Sequence, residues 1–214
     1  MSTRWKNVIF DLDGTLANTV PLILASYEHA LKTVLNQELD VDLAKTWIGR
    51  TLMDAFMEHA PDQAEDLERE YLKFNAEHLP DMVTEFEGIP QLLADLVEAG
   101  ANLGVVTAKR RSVAHDTFAP ANLPDDLAIA AAMEDTPVHK PNPEPILLGM
   151  KTIGADPASS VYVGDAIYDL QAAAAAGIDG VGVTWGAGVP EQVHAQPNAG
   201  IADTVDELRS ILFN

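Results

Sequence analysis

The sequence predicts an α/β protein in which a doubly wound, Rossmann-like parallel sheet core carries an inserted all-helical cap. From Gly88 onward, apolar runs of strand length alternate with segments of helical periodicity, which is typical of a parallel sheet covered by helices. Before this region, roughly residues 17–80 show helical periodicity and no predicted strand. A short apolar run, Val8–Phe10, precedes the helical region and is predicted to be the first strand of the sheet.

Three amphipathic segments make up the predicted cap. They are Pro21–Gln37, Thr51–His59 and Asp62–Leu79. Each carries apolar residues at the spacing of a helix, and Pro61 and Pro80 are expected to separate and end them. We therefore predict two domains, with residues 1–16 and 81–214 in the catalytic core and residues 17–80 in the cap.

Eight further elements are predicted along the core. In chain order they are the helix Ile89–Ala99, the strand Asn102–Val106, the helix Ser112–Phe118, the strand Leu127–Ala131, the helix Pro143–Ile153, the strand Val161–Val163, the helix Ile167–Ala176 and the strand Gly180–Thr184. In an open sheet of this kind, ligands bind at the carboxyl ends of the strands. Polar residues directly after a strand are therefore the first candidates for a functional site.

The most informative of these residues lie in the segment Asp11–Leu16, with the sequence DLDGTL. Because residues two apart in an extended chain point the same way, Asp11 and Asp13 are expected to face one site. Gly14 then allows the chain to turn sharply. One carboxylate of such a pair can attack a phosphorus atom, and the other can act as general acid and then base, with Mg²⁺ screening the charges.

Two other kinds of structure contain an Asp-x-Asp-Gly sequence. An ordinary solvated turn uses the same residue types, and the motif alone leaves that interpretation open. An EF-hand calcium loop requires a bidentate Glu at its twelfth position, which is Leu22 when counting begins at Asp11. The calcium loop is therefore excluded.

Three later motifs follow the first one along the chain. Thr107 ends a second apolar run, Lys140 lies in the proline-rich segment HKPNPEP, and Asp165 and Asp169 lie in VGDAIYDL. In this order, together with the segment at Asp11, they resemble the four motifs of the haloacid dehalogenase-like superfamily, whose members are mostly phosphatases. The resemblance spans nearly the whole chain and looks closest to the phosphoglycolate phosphatase and pyrophosphatase-like branch.

The resemblance implies a magnesium site and a nucleophile. Asp11 would attack the phosphorus atom and Asp13 would serve as acid and base. Mg²⁺ would be held by the Asp11 carboxylate, the Asp13 backbone carbonyl and Asp165. Asp169 would lie behind these ligands and hold Lys140 or a metal-bound water.

Five residues are predicted to act on the substrate or on the transferred group. The Thr107 hydroxyl and the Ala108 backbone N–H would hold a phosphoryl oxygen, although related phosphatases often carry Asn at position 108. Lys140 would neutralise the nucleophile and the transferred group. Lys109 is expected to touch the substrate, and Arg50, which follows Gly49 in the cap, is expected to bind an anionic substrate group. A surface arginine after a loop glycine is an equally good interpretation of the Arg50 position.

Composition restricts the partners of the chain. Its 33 acidic and 13 basic residues give a net charge of −20, so nucleic-acid binding through a basic patch is not expected. No apolar stretch reaches membrane-spanning length, and no secretory signal is recognisable before the first strand. There is no cysteine and hence neither a disulfide nor a thiol nucleophile. We expect a cytoplasmic monomer or homodimer that acts on a small phosphorylated metabolite.

The predicted function is that of a Mg²⁺-dependent phosphatase that forms an aspartyl-phosphate, with a phosphoglycolate-like substrate favoured. A pyrophosphatase and a sugar-phosphate mutase similar to β-phosphoglucomutase are the alternatives, and Thr15 argues mildly against the mutase, which often has Val there. A dehalogenase is not expected, because those relatives lack the acid and base that Asp13 supplies. A catalytically inactive binding protein of this fold usually lacks Asp11 or Asp13, and both are present.

Overall fold

The structure is a computed structural model that describes residues 2–214. Within these residues there are eight β-strands. In chain order they are β1 (Asn7–Phe10), β2 (Ala17–Asn18), β3 (Thr84–Glu85), β4 (Asn102–Val106), β5 (Ile129–Ala131), β6 (Ser160–Gly164), β7 (Asp179–Val183) and β8 (Gly200–Ala202). Six of them form one parallel sheet in the order β5-β4-β1-β6-β7-β8, which confirms the predicted doubly wound core.

Ten α-helices accompany the strands in the same described residues. They are α1 (Val20–Leu35), α2 (Val41–Lys45), α3 (Leu52–His59), α4 (Ala64–Met82), α5 (Ile89–Glu98), α6 (Arg111–Phe118), α7 (Glu144–Ile153), α8 (Ile167–Ala175), α9 (Pro190–His194) and α10 (Val205–Leu212). Single 3₁₀ turns occur at Pro61–Gln63, Met133–Asp135 and Pro157–Ser159. None of these helices is both long enough and apolar enough to cross a lipid bilayer.

Apolar residues cover both faces of the parallel sheet. Along β1, Val8 and Phe10 pack into one cluster, and Ile9 packs into the cluster on the opposite face. This is the alternation expected for an extended strand. Because β1 is buried on both sides, its sequence contains a continuous apolar run, as is typical of central strands in parallel sheets.

The helices α1 to α4 lie in the segment predicted to be the cap and share an apolar cluster of their own. Tyr27 of α1, Trp47, Phe56 of α3 and Tyr71 of α4 meet there. Their rings contact one another edge-on or tilted, with centroid distances from Tyr27 of 5.1 Å to Trp47, 5.6 Å to Phe56 and 4.9 Å to Tyr71. Ala187 from the core joins this cluster, so the cap packs directly on the sheet domain.

Two details of the predicted cap are wrong. A strand was not expected between residues 17 and 80, but β2 pairs antiparallel with β3 where the chain leaves and re-enters the core. Two-residue strands carry no periodicity that a sequence pattern can reveal. The third helix does not end before Pro80 but continues to Met82, because Pro80 falls in its last turn, where little helix remains to be broken.

Candidate active site

Three of the predicted residues stand directly after neighbouring strands. Asp11 follows β1, Thr107 follows β4, and Asp165 follows β6. These strands are adjacent in the order β4-β1-β6 and run parallel, so their carboxyl ends meet at one edge of the sheet. The structure therefore brings all three side chains to the place where open α/β sheets bind ligands.

Lys140 reaches this edge from the segment that follows β5, and its side chain is buried. Its Nζ donates hydrogen bonds of 2.9 Å to Oδ1 of Asp11, 2.6 Å to Oδ1 of Asp169 and 3.1 Å to the Tyr162 hydroxyl. Tyr162 in turn donates to the carbonyl oxygen of Val106 at 2.8 Å. All three donor positions of the ammonium group are thus directed at fixed partners.

The charges around Lys140 strongly affect the pKa values of Lys140 and of Asp11. Burial lowers the pKa of Lys140, but the carboxylates of Asp11 and Asp169 raise it by more, so that it lies well above its usual value and the lysine is protonated. Burial also raises the pKa of Asp11 well above its usual range; Lys140 opposes this effect, and neighbouring carboxylates add to it. A single lysine therefore does not compensate the buried negative charge.

Three carboxylates form the cluster that fits a metal ion. Oxygen atoms of Asp11, Asp165 and Asp169 lie within 4.8 Å of one another, and all three residues are buried. Burial, with the charge of Asp169 next, raises the pKa of Asp165 to about 7. A set of oxygen donors with excess negative charge matches the preference of Mg²⁺.

Asp165 is held tightly in place. Oδ2 accepts a 2.7 Å hydrogen bond from the Ala187 backbone N–H, and Oδ1 accepts one of 3.3 Å from the Thr15 hydroxyl. A β-carbon added at Gly14 would lie 2.6 Å from Oδ2, and one at Gly186 would lie 2.1 Å from it. Gly14 also has a φ of +75°, a conformation that other residues rarely adopt. Both glycines therefore make room for this carboxylate.

Asp169, the third carboxylate of this cluster, lies in the first turn of α8. Its Oδ1 accepts the hydrogen bond from Lys140, and its Oδ2 accepts one of 2.9 Å from the Ala166 backbone N–H. Both oxygens already have a protein donor, so this carboxylate is best suited to positioning Lys140. This is one of the two arrangements that the motif predicts for Asp169.

The Asp13 carboxylate does not belong to this cluster. It accepts a 2.6 Å hydrogen bond from Nζ of Lys109, and both side chains are mostly buried. The Lys109 backbone N–H donates to the Thr107 hydroxyl at 3.1 Å. Lys109, expected to touch the substrate, thus also touches the predicted acid and base. The metal ligand predicted from Asp13 is its backbone carbonyl, and this stays a prediction.

A cavity lies between the sheet edge and the cap. Its volume of about 80 Å³ corresponds to the space of roughly five to eight water molecules. Asp11, Asp13 and Thr107 line its core side together with Ala108, and Arg50 lines its cap side. The backbone N–H of Ala108 makes no hydrogen bond with any described residue. Arg50 forms an ion pair of 2.8 Å with Glu58 of the cap and has one side toward the cavity.

Some residues of the site were missed by sequence reasoning. Tyr162 could have been noticed as a tyrosine in an otherwise aliphatic buried strand, since a buried hydroxyl needs a partner. Ala187 and Gly186 follow β7, so the rule that pointed to the other strand ends also applies to them. Tyr27 and Tyr71 line the cavity from the cap, and no sequence signal separates them from ordinary core tyrosines.

Known proteins share this sequence and fold. The model of the haloacid dehalogenase-like hydrolase family matches residues 8–183. The chain is 35% identical over 180 residues to pyrophosphatase PpaX of Bacillus pumilus (strain SAFR-032), covering 84% of this chain and 83% of that protein. It is 29% identical over 211 residues to pyrophosphatase PpaX of Bacillus cereus (strain B4264), covering 99% of this chain and 98% of the other.

A solved structure agrees over nearly the whole length. The crystal structure of a predicted phosphoglycolate phosphatase from Haemophilus somnus 129PT superposes with a TM-score of 0.82 at 28% identity, covering 97% of this chain and 98% of that one. The family match includes the strand ends that carry Asp11, Thr107 and Asp165. This chain belongs to the haloacid dehalogenase-like hydrolase family.

Proposed function

We propose that the protein is a Mg²⁺-dependent phosphatase that hydrolyses a small phosphorylated metabolite through an aspartyl-phosphate. The observation that carries this proposal is the placement of Asp11. Its carboxylate stands at the end of the central strand β1, accepts a hydrogen bond from buried Lys140, and lines the cavity beneath the cap. This is the arrangement expected of a carboxylate nucleophile in covalent catalysis.

The first half-reaction transfers the phosphoryl group to the enzyme. A carboxylate oxygen of Asp11 attacks phosphorus, the bond from phosphorus to the leaving oxygen breaks, and Asp13 donates a proton to that oxygen. Lys140, which is hydrogen-bonded to Asp11, would offset the charge of the nucleophile and of the phosphoryl group, and the backbone N–H of Ala108, which has no partner among the described residues, would bind a phosphoryl oxygen. Lys109 holds the Asp13 carboxylate at the cavity.

The second half-reaction regenerates the free carboxylate. Asp13, now ionised, takes a proton from a water molecule whose oxygen attacks the phosphorus of the aspartyl-phosphate. The bond between Asp11 and phosphorus breaks, and inorganic phosphate leaves. The cap forms one wall of this space, which restricts the access of bulk water to the reacting atoms.

The magnesium ion would be held by Asp11, Asp165 and the backbone carbonyl of Asp13. When bound, Mg²⁺ supplies positive charge that allows an anionic substrate to approach a cluster of carboxylates. Asp169 would act through Lys140, to which it is hydrogen-bonded. The excess of buried negative charge around Asp11 and Asp165 supports this assignment.

The substrate is proposed to be small and anionic. Three cationic side chains, Arg50, Lys109 and Arg110, line the cavity beside Asp11, Asp13 and Glu68, in a protein whose net charge is −20. We favour a phosphoglycolate-like monoester. The names of the PpaX relatives favour inorganic pyrophosphate as a second candidate, and both compounds carry a second anionic group close to the phosphorus that is attacked.

Phosphate release with Mg²⁺ tests the proposal. The panel contains phosphoglycolate, pyrophosphate, hexose phosphates and nucleoside monophosphates, and each is repeated with a metal chelator. We expect one small compound with a second anionic group to stand far above the rest, and Asp11→Asn to abolish release while the protein stays folded. Asp116→Asn is the matched control, because Asp116 is an exposed residue of α6. Near-normal release by Asp11→Asn, or isomerisation of a hexose phosphate without phosphate release, would overturn the proposal.

A further inference from the structure

Two tyrosines of the cap lie side by side over the catalytic aspartates. Tyr27 comes from α1 and Tyr71 from α4, and their ring centroids are 4.9 Å apart. Only 3% of Tyr27 and 8% of Tyr71 is exposed. Both line the same cavity as Asp11 and Asp13, from the opposite wall.

The hydroxyl groups of these tyrosines have no protein partner. Neither donates or accepts a hydrogen bond with any residue from 2 to 214. Among those residues, the only side-chain polar atom that is both sealed from solvent and without a partner is Oγ1 of Thr19. The tyrosine hydroxyls are therefore not fully buried in the apolar cluster, and they are exposed to the cavity. Buried tyrosine hydroxyls nearly always find a partner, so a ligand group is the expected one.

Burial and the nearby charges determine the protonation state of both hydroxyls. Burial raises the pKa of Tyr27 and of Tyr71, and the negative charge of Asp13 raises both further, while Arg50 lowers that of Tyr27. Both hydroxyls are consequently neutral and able to donate. Arg50 lines the same cavity from the cap, so the two donors and a positive charge share that wall.

We propose that the Tyr27 and Tyr71 hydroxyls donate hydrogen bonds to a second anionic group of the substrate, a carboxylate or a second phosphoryl group, and so determine specificity. The inference rests on the proposed function, in which the attacked phosphorus lies at Asp11 on the core side. The remainder of a small substrate must then meet the cap side, where the two hydroxyls point. A site built to hydrogen-bond such a group discriminates strongly against analogues that lack it.

Binding of non-hydrolysable analogues tests the inference without relying on turnover. Calorimetric titrations with Mg²⁺ present use methylenediphosphonate, phosphonoacetate and methylphosphonate. The first two carry a second phosphoryl or carboxylate group, and the third carries none. The variants are Tyr27→Phe, Tyr71→Phe and the double variant. Tyr168→Phe is the control, because its hydroxyl bonds the Thr46 carbonyl outside the cavity.

Each tyrosine substitution should weaken binding of at least one two-group analogue by about tenfold, the loss typical of a hydrogen bond to a charged group. Methylphosphonate binding should change much less. In Tyr168→Phe, the affinity of each two-group analogue relative to that of methylphosphonate should change little. The analogue that loses more identifies the second group as carboxylate or phosphoryl. Equal losses for all three probes, no loss for any, or absence of wild-type binding would overturn the inference.

Thermal unfolding of the free protein separates recognition from a structural role. Because the hydroxyls have no protein partner, Tyr27→Phe and Tyr71→Phe should leave the Tm unchanged or slightly higher, whereas a structural role requires a clear fall. Failure of the proposed function appears separately, as absence of phosphate release by the wild-type protein. The affinity ratios remain interpretable in that case, because they depend on binding alone.

Discussion

The ammonium group of Lys140 lies closer to Asp169 than to Asp11, at 2.6 Å against 2.9 Å. Asp169 is itself fixed by the Ala166 backbone N–H. Asp169 does not line the cavity, but it positions Lys140 against Asp11, which does. One cation is thus divided between two buried anions. This arrangement leaves the cluster with a net negative charge, which an anionic substrate would increase.

Replacing the lysine should therefore affect stability as well as activity. Lys140→Met leaves Asp11 and Asp169 buried without their cation, and breaking a buried pair in this way typically costs about 3–5 kcal/mol. For a chain of this size the Tm should fall by roughly 6–20 °C. Differential scanning calorimetry in the presence of a chelator measures the change.

A second substitution distinguishes charge from loss of packing. Adding Asp169→Asn removes one uncompensated carboxylate, so the double variant should regain part of the Tm while phosphate release stays absent. A double variant that is even less stable than Lys140→Met would show that packing of the lysine side chain, and not its charge, dominates.

Magnesium should stabilise the folded protein through Asp165. At about 100 times its dissociation constant, a ligand of the native state contributes about 2.7 kcal/mol, which corresponds here to a Tm rise of roughly 5–10 °C. Asp165→Asn should lose most of this rise, because a carboxamide is a much weaker ligand than a carboxylate. Thermal unfolding with and without Mg²⁺ checks this, with Asp116→Asn as control. An undiminished rise in Asp165→Asn would place the ion elsewhere.

Arg50 should act on substrates that carry a second anionic group. We expect Arg50→Ala to raise the KM for phosphoglycolate or pyrophosphate more than for a small artificial ester. Glu58→Gln is the comparison, because it removes the ion-pair partner and leaves the arginine at the cavity. Steady-state kinetics gives, for each of the two substrates, the ratio of the variant's KM to that of the wild-type protein. If Glu58→Gln and Arg50→Ala act alike, the ion pair supports the cap and the arginine does not select the substrate.

Stability at acidic pH should depend on Asp95, which joins α5 to α10 through an ion pair with Arg209. Hydrogen bonds from Arg209 and Gln91 lower the pKa of Asp95 from its usual 3.8. A lowered pKa in the folded state gives stabilisation that is present above the unfolded pKa and is lost as the pH falls through the folded pKa. Between about pH 5 and pH 3, wild-type stability should therefore fall more steeply than that of Asp95→Asn. Urea unfolding at several pH values measures both slopes, and parallel slopes would contradict the assignment.

The sheet and the strand-end residues were predictable because they depend on local patterns. Alternating strands and helices imply a parallel sheet, and a parallel sheet brings Asp11, Thr107 and Asp165 to one edge. The prediction of Lys140 could not be made from periodicity, because this residue lies in a loop. Only its proline-rich context and the order of the motifs indicated it.

Other contacts depend on how distant segments fold together. Lys109 and Asp13 are 96 residues apart, and their hydrogen bond follows from the path of two loops rather than from any local pattern. The tyrosines of the cap are spaced like core residues of α1 and α4, and only the open cavity distinguishes them. The strand β8 was not predicted, since a three-residue strand presents too few positions to show a pattern. The helices α2, α9 and α10 were not predicted either.

The short strands β2 and β3 make the cap a replaceable module. Asn18 and Thr84 are hydrogen-bonded across them at 3.1 Å, so the intervening segment begins and ends at one place on the core. A different insertion whose ends meet the same spacing can occupy this place without moving the carboxylates at the sheet edge. We therefore expect that exchanging the cap changes substrate preference and leaves the positions of these carboxylates unchanged.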